Sequence, residues 1–259
     1  MGKVYLVGAG PGDPELLTVK AVRILAAANL VLHDALVTKE ILDLVSAKAR
    51  VIDIGKRCGQ KLLTQEEINA YLVHASALAD VVVRLKSGDP LIFGRAGEEI
   101  EALKNAGVDF EIVPGITSAL AAAAVARLSL TDRRLASQIL FTTPHRKGGA
   151  LDLDWTSAVG QGTTVAVYMP GGAYAELANA LLNNGLDPHT ACVIVSAATQ
   201  KSQQLRRTDI EGLRSLSGVN SPALIIIGRV AQAESATIAA DIWKQLRTTE
   251  VRDEQRIAS

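Results

Sequence analysis

The chain has 259 residues with 27 basic and 27 acidic side chains, so its formal net charge is zero. A balanced charge exerts no long-range pull toward nucleic acid or an anionic membrane, and 3% aromatic content leaves few rings for stacking single-stranded bases. With 48% hydrophobic residues, a chain of this length can bury a large core in one large or two small domains.

Short β-rich runs alternate with helical stretches. The first half predicts strands at 3–7, 30–33, 51–54, 81–85 and 110–113. Helices are expected over 16–28, 39–47, 65–78 and 96–106. Thr64 followed by Glu67 reads as a capping box for the third of these helices. Such alternation predicts an α/β fold with a largely parallel sheet. Val113-Pro114-Gly115 is the boundary candidate, dividing the chain into domains at 1–114 and 115–245 with a charged tail at 246–259. The second half predicts an alanine-rich helix at 116–126, strands at 139–142, 165–168, 193–195 and 223–227, and a helix at 173–184 ended by Gly185. It also alternates, with more strand and longer connections. The last residues, 248–259, read as frayed.

Cys58 and Cys192 stand far apart in no CxxC pattern, which reads as two free thiols in a reducing cytoplasm. His33, His74, His145 and His189 have no metal-ligand spacing, so no metal is expected. Met1 leads almost directly into a strand, unlike a signal peptide. No apolar run reaches the length of a membrane span. A cytoplasmic location is the expectation.

Two Gly-Asp-Pro turns organise the chain. Gly12-Asp13-Pro14 closes the first apolar run, and Gly88-Asp89-Pro90 closes Val81-Val82-Val83-Arg84-Leu85-Lys86-Ser87. Glycine has no Cβ and tolerates positive φ, so such loops let backbone approach a small ligand closely. Two of them point to a built cleft. Gly8-Ala9-Gly10-Pro11-Gly12 also looks like a dinucleotide fingerprint, with Asp34 near the place of an acidic ribose ligand. Asp13 argues against it, because it stands where the fingerprint's third small residue belongs. Pro14 then delays the helix that should open on a pyrophosphate.

From about Val4 to about Val230 these residues resemble the tetrapyrrole methylase family. Beyond the two loops the resemblance includes His33-Asp34-Ala35-Leu36-Val37, Ile54-Gly55-Lys56-Arg57 and Gln65-Glu66-Glu67-Ile68-Asn69. It continues through Gly94-Arg95-Ala96-Gly97-Glu98-Glu99, Val113-Pro114-Gly115-Ile116-Thr117-Ser118-Ala119 and Val167-Tyr168-Met169. Each piece alone is weak; the same pieces in order and at the family's spacing are specific. The resemblance implies two α/β domains with a cofactor cleft between them, a homodimer, and S-adenosyl-L-methionine (SAM) as methyl donor. It implies C-methylation of uroporphyrinogen III at C2 and C7 to give precorrin-2, an entry to sirohaem, cobalamin or haem d1. Alternatives are a methylase of a later precorrin and a SAM-binding paralogue with weakened catalysis.

By resemblance, Pro11, Ser87, Gly88, Asp89, Ile92, Thr117, Ser118, Met169 and Ala198 would line the SAM pocket. Asp34 and Lys56 match positions with acid–base roles, and Arg95 joins them as a catalytic candidate. Arg95, Glu98, Arg133, His145 and Met169 fall on positions facing the tetrapyrrole. Arg57, Arg134, Arg146 and Lys147 are further basic candidates for its carboxylates. The family usually has glycine at Ser87, a tolerable change if φ is negative there. On the substrate side, Ala35 stands where the family often has arginine. Leu130-Thr131-Asp132-Arg133-Arg134 replaces a Leu-Thr-His-Arg-Asp pattern, and Pro144 replaces glycine. No dehydrogenase–chelatase module is expected beside the methylase-like residues, so sirohaem synthesis would require other proteins.

Overall fold

The structure, a computed structural model, describes residues 2–55, 63–145 and 150–232. Strands β1 (Lys3–Gly8), β2 (Leu30–His33), β3 (Arg50–Asp53), β4 (Val81–Lys86) and β5 (Phe110–Val113) form one sheet in the order β3-β2-β4-β1-β5. Every neighbouring pair in it is parallel. Parallel pairs need crossover connections. Helices α1 (Val19–Ala27), α2 (Lys39–Leu42), α3 (Gln65–Leu78) and α4 (Ala96–Asn105) lie in those crossovers. On one face Ile68, Leu72 and Leu103 pack against Val4, Leu6, Leu32 and Val82. On the other, Ala21, Leu25 and Ile41 pack against Val7, Val31, Val83 and Leu85. Strands covered on both faces become near-continuous apolar runs, which is why they are legible in the sequence.

The second sheet contains β6 (Gln138–Thr142), β7 (Thr163–Tyr168), β8 (Ala191–Ser196), β9 (Gln204–Asp209) and β10 (Ala223–Ile227), in the order β6-β7-β10-β8-β9. Only β6 and β7 pair in parallel; the other three pairs are antiparallel. The expectation of a largely parallel sheet therefore holds for the first half and fails for the second. The reason is local: β8 returns directly into β9 with no crossover helix, which only antiparallel neighbours permit. Helix α5 (Ser118–Ala126) covers one face through Ala119, Ala122 and Ala126. Helices α6 (Tyr174–Asn183) and α7 (Ile210–Leu213) cover the other through Leu177, Leu181 and Ile210.

Strand β9 has no counterpart among the predicted strands. It is an edge strand of mostly exposed Gln204, Leu205, Arg206 and Arg207, so it lacks the alternation that marks a half-buried strand. The first helix is shorter than expected. Pro14 opens a 3₁₀ turn (Pro14–Leu16), and α1 starts only at Val19, with Thr18 Oγ1 accepting from the Ala21 amide at 3.1 Å. The helix expected at 39–47 ends at Leu42. The Thr64–Glu67 capping box is formed in both directions. Cys192 is buried and free, and burial pushes its thiol up, so it behaves as a small apolar side chain. Cys58 and the tail at 246–259 lie outside the described residues. Among the described residues no helix is long and apolar enough to cross a membrane.

Candidate functional site

A cleft of about 340 Å³ opens where the carboxyl ends of β1, β2 and β4 face the second sheet. Small-molecule sites commonly enclose about 300–1,000 Å³, and in open parallel sheets they lie beyond the carboxyl ends of the strands. Pro11 follows β1, Asp34 and Ala35 follow β2, and Ser87, Gly88 and Asp89 follow β4. From the second half come Thr117 and Ser118 at the start of α5, Met169 after β7 and Ala198 after β8.

One wall is bare backbone. The Gly10 amide donates to Gly88 O at 3.1 Å and the Gly88 amide to Gly10 O at 2.7 Å, so the two glycine loops pair. Gly88 has φ +68°, and a Cβ placed on Gly115 would lie 2.4 Å from Gly88 O. The three segments meet only because no side chain stands between them. Ser87 does not take a positive φ, so its side chain is accommodated. Asp89 fastens the corner: Oδ1 accepts from the Leu91 amide at 2.8 Å and Oδ2 from the Gly115 amide at 2.9 Å.

The second half is tied to the first loop at two points. Gln200 Nε2 donates to Pro11 O at 3.2 Å, and Thr199 Oγ1 accepts from the Asp13 amide at 3.3 Å. Tyr168 holds the start of α5, accepting from the Ala119 amide at 3.3 Å and sharing a 2.7 Å hydrogen bond with Thr117 Oγ1. The Phe93 ring lies against it, 4.8 Å between centroids. Phe93, Arg95 and Met169 line the cleft with φ of 51°, 57° and 49°. Ala197 and Thr199, which flank Ala198, also have positive φ. Non-glycine residues in this region store strain and cluster at ligand sites.

A buried charge network underlies the cleft. Arg84 Nη2 lies 2.5 Å from Asp34 Oδ1, Arg84 Nε lies 2.9 Å from Glu99 Oε1, and Lys86 Nζ lies 2.9 Å from the same Glu99 oxygen. Arg84, Lys86 and Glu99 are all at most 3% exposed. Burial pulls the Arg84 guanidinium down, but Asp34 and Glu99 outweigh it and hold its pKa above the ordinary value. Lys86 moves the other way: desolvation first, then the charge of Arg84, lowers its pKa.

The family model for tetrapyrrole (corrin/porphyrin) methylases matches residues 3–214. The chain is a tetrapyrrole methylase. Uroporphyrinogen-III C-methyltransferase of Paracoccus denitrificans is 43% identical over 249 residues, which cover 94% of this methylase and 87% of that protein. Siroheme synthase of Chromobacterium violaceum is 44% identical over 89% of this chain, which spans only 50% of that relative's length. Uroporphyrin-III C-methyl transferase from Thermus thermophilus complexed with S-adenyl homocysteine superposes with a TM-score of 0.78 at 39% identity. That match covers 88% of this chain and 98% of the other.

In this methylase all nine expected cofactor contacts, Pro11, Ser87, Gly88, Asp89, Ile92, Thr117, Ser118, Met169 and Ala198, line the cleft. Asp34 and Arg95 line it too. Lys56, Arg57, Arg146 and Lys147 lie outside the described residues, although Gly55, just before Lys56, is a lining residue. Glu98 stands off the cleft and holds Arg95, its two carboxylate oxygens accepting from Nε at 2.8 Å and Nη2 at 2.7 Å. Arg133 and Arg134 are exposed and off the cleft. His145 also lies off it, with Nε2 2.9 Å from where a Cβ on Gly171 would be. Its buried Nδ1 has no hydrogen-bond partner among the described residues.

Sequence reasoning missed Arg84, Lys86, Glu99, Phe93, Tyr168 and Gln200. A signal for the first two exists. Successive strand residues alternate faces, so Arg84 and Lys86 follow Val82 onto the face that α4 covers. Charges at i and i+2 in a strand buried on both faces require partners. No such signal marks Gln200, which acts through the contact between the two halves.

Proposed function

We propose that this methylase transfers methyl groups from SAM to C2 and C7 of uroporphyrinogen III, giving precorrin-2. The observation that carries the reading is the cleft walled on one side by the paired Gly10 and Gly88 loops, in a chain similar to a methyltransferase whose structure was solved with S-adenyl homocysteine. The residues present suit such a donor. The glycine wall clears room for close approach, Asp89, Thr117 and Ser118 offer polar contacts, and Ile92, Met169 and Ala198 offer apolar ones.

Bound SAM would supply a methyl group on a sulfonium: an electron-rich pyrrole carbon would attack that methyl in line as the C–S bond breaks, and S-adenosylhomocysteine would leave as the neutral thioether. The protein's own work is chiefly orientation, which can lower a barrier by about 7–11 kcal/mol. On this reading the two loops, with Thr117, Ser118, Met169 and Ala198, hold the donor. Asp34 and Lys56 serve the proton that leaves the macrocycle. Asp34 is supported in that role by its place on the cleft and by the fixed direction that Arg84 imposes on it. On the acceptor side Arg95 lines the cleft, oriented by Glu98, while Arg133, Arg134 and His145, which lie off it, would meet the outer parts of a bound macrocycle; each charge-assisted hydrogen bond from a cation to a substrate carboxylate contributes about 1.5–3 kcal/mol. Residues 1–114 and 115–245 act as the two lobes. The enzyme works as a homodimer, a reading that rests on the resemblance, in the cytoplasm, a reading that rests on the unpaired cysteine spacing and the absence of a signal-peptide pattern in the sequence.

A second reading, a methylase of a later precorrin, draws on Ala35, Asp132, Arg134 and Pro144, all on the acceptor side. An anaerobic assay of precorrin-2 formation from purified uroporphyrinogen III decides between them, with calorimetry of SAM, its demethylated product and NAD alongside. Turnover with SAM binding supports the proposal. SAM binding without turnover points to another acceptor or to a paralogue with weakened catalysis. NAD binding without SAM binding would overturn it.

A further inference from the structure

The charge network under the cleft is anchored by a residue that does not reach the cleft. Glu99 is fully buried on α4, and its Oε1 alone receives both Arg84 Nε and Lys86 Nζ, each at 2.9 Å. Its Oε2 is buried with no hydrogen-bond partner among the described residues. Arg84 is in turn held on three sides. Nε goes to Glu99, Nη1 to the carbonyls of Leu32 and Leu85 at 3.5 and 3.3 Å, and Nη2 to Asp34 at 2.5 Å. Arg84 and Lys86 touch the cleft with side chains only 3% exposed, whereas Asp34 opens into it with 28% of its side chain exposed. Taking charges out of water is costly unless each is paired with good geometry. A network of two acids and two bases at the carboxyl end of the central strand β4 could have been apolar if packing were its only purpose.

We propose that Glu99 is a positioning residue of the methyl-transfer site, fixing through Arg84 where the Asp34 carboxylate points into the cleft. Glu99 sets the fork of Arg84, and Arg84 presents one N–H to Asp34 in a single direction. Lys86 supplies the second positive charge that keeps the buried cluster neutral. The catalytic consequence rests on the methyltransferase reading above; the geometric one does not.

The test is a double-mutant cycle of Glu99→Gln and Asp34→Asn, read in kcat, KM for the tetrapyrrole and calorimetric affinity for S-adenosylhomocysteine. Glu99→Gln should lower kcat at least tenfold while leaving that affinity within twofold. In the Asp34→Asn background the same change should cost less than twofold, because the carboxylate that Glu99 positions is already gone. A residue that only stabilised the fold would give independent losses in both backgrounds. Additive losses, an unchanged kcat, or a parallel loss of S-adenosylhomocysteine binding would each overturn the proposal. Glu99→Asp, which keeps the charge and withdraws the carboxylate from Arg84, is the second variant if Glu99→Gln does not fold, with the same expectations. A crystal structure of the folded variant reads positioning without turnover: the Arg84–Asp34 contact should be broken or re-aimed. If the wild type has no turnover yet that contact is re-aimed, the functional reading fails and the positioning role stands. If the contact is unchanged, the positioning role fails whatever the turnover.

Discussion

Arg134 closes on Asp132 at three points: its amide donates to Oδ1 at 2.7 Å, its Nε to Oδ1 at 3.1 Å and its Nη2 to Oδ2 at 2.9 Å. These are the positions where the family pattern has histidine and aspartate, so acid and base have exchanged places within one turn. Arg134→Asp would set two carboxylates side by side and should lower activity severalfold. If the exchange is local compensation, adding Asp132→His should restore most of it. If Arg134 also serves the substrate in place of an arginine at position 35, adding Ala35→Arg should restore part of it instead. Kinetics of the single variant and both double variants separate the two, and full activity in Arg134→Asp would show that neither holds.

The same turn has a pH signature. The Arg134 side chain, then its amide, holds the Asp132 carboxyl down to about 2. A depressed carboxyl stabilises the fold fully above its unfolded value near 4 and loses that contribution as pH falls toward 2. Wild type should therefore lose stability between pH 4 and 2 more steeply than Asp132→Asn. Chemical denaturation across that range measures the difference, and parallel curves would show that the pair adds nothing.

Gly115→Ala should be damaging out of proportion to one methyl group. Its Cβ would stand 2.4 Å from Gly88 O, which is backbone and cannot swing aside. Overpacking of this kind costs about 1–3 kcal/mol, and the displaced loop should weaken S-adenosylhomocysteine binding tenfold or more. Gly97→Ala on α4 is the control, because nothing lies within 4 Å of its added Cβ; removing a helical glycine there should stabilise by about 0.5–1 kcal/mol. Thermal unfolding and calorimetry of both variants check the contrast.

Asp89→Ala should weaken donor binding, while Arg133→Ala should raise mainly the KM for the tetrapyrrole. Asp89 accepts the Leu91 and Gly115 amides and so holds together the loop that carries Ser87 and Gly88. Losing a charged acceptor costs about 1.5–3 kcal/mol, or roughly 10- to 150-fold in affinity. Asp89→Asn, which keeps one acceptor oxygen, should lose less. Equal loss of both ligands in Asp89→Ala and Arg133→Ala, with unchanged unfolding, would contradict a two-sided cleft.

Tyr168→Phe should destabilise by about 1–3 kcal/mol, because it strands the Ala119 amide and Thr117 hydroxyl beneath a buried ring. The Phe93 contact survives the change, so the cleft should open at the α5 side, raising KM for SAM more than KM for the tetrapyrrole. Denaturant unfolding and initial rates test this pair of expectations.

The sequence by itself determined the first sheet, the helices that cross it and the residues of the glycine loops. Its strands are buried on both faces and so written as apolar runs, and Pro14 and Thr64 mark where helices can start. Loop residues such as Asp34 and Asp89 were legible because their place depends on the end of a strand a few positions away. Only the tertiary structure decided the antiparallel pairing of the second sheet and the polar edge strand β9, whose hydrogen bonds need a partner but whose side chains need no core. It also decided the network of Asp34, Arg84, Lys86 and Glu99. Those four residues are spread over 66 positions of chain, and whether a buried charge is paired depends on which element packs above it, a fact of three dimensions that no local pattern encodes.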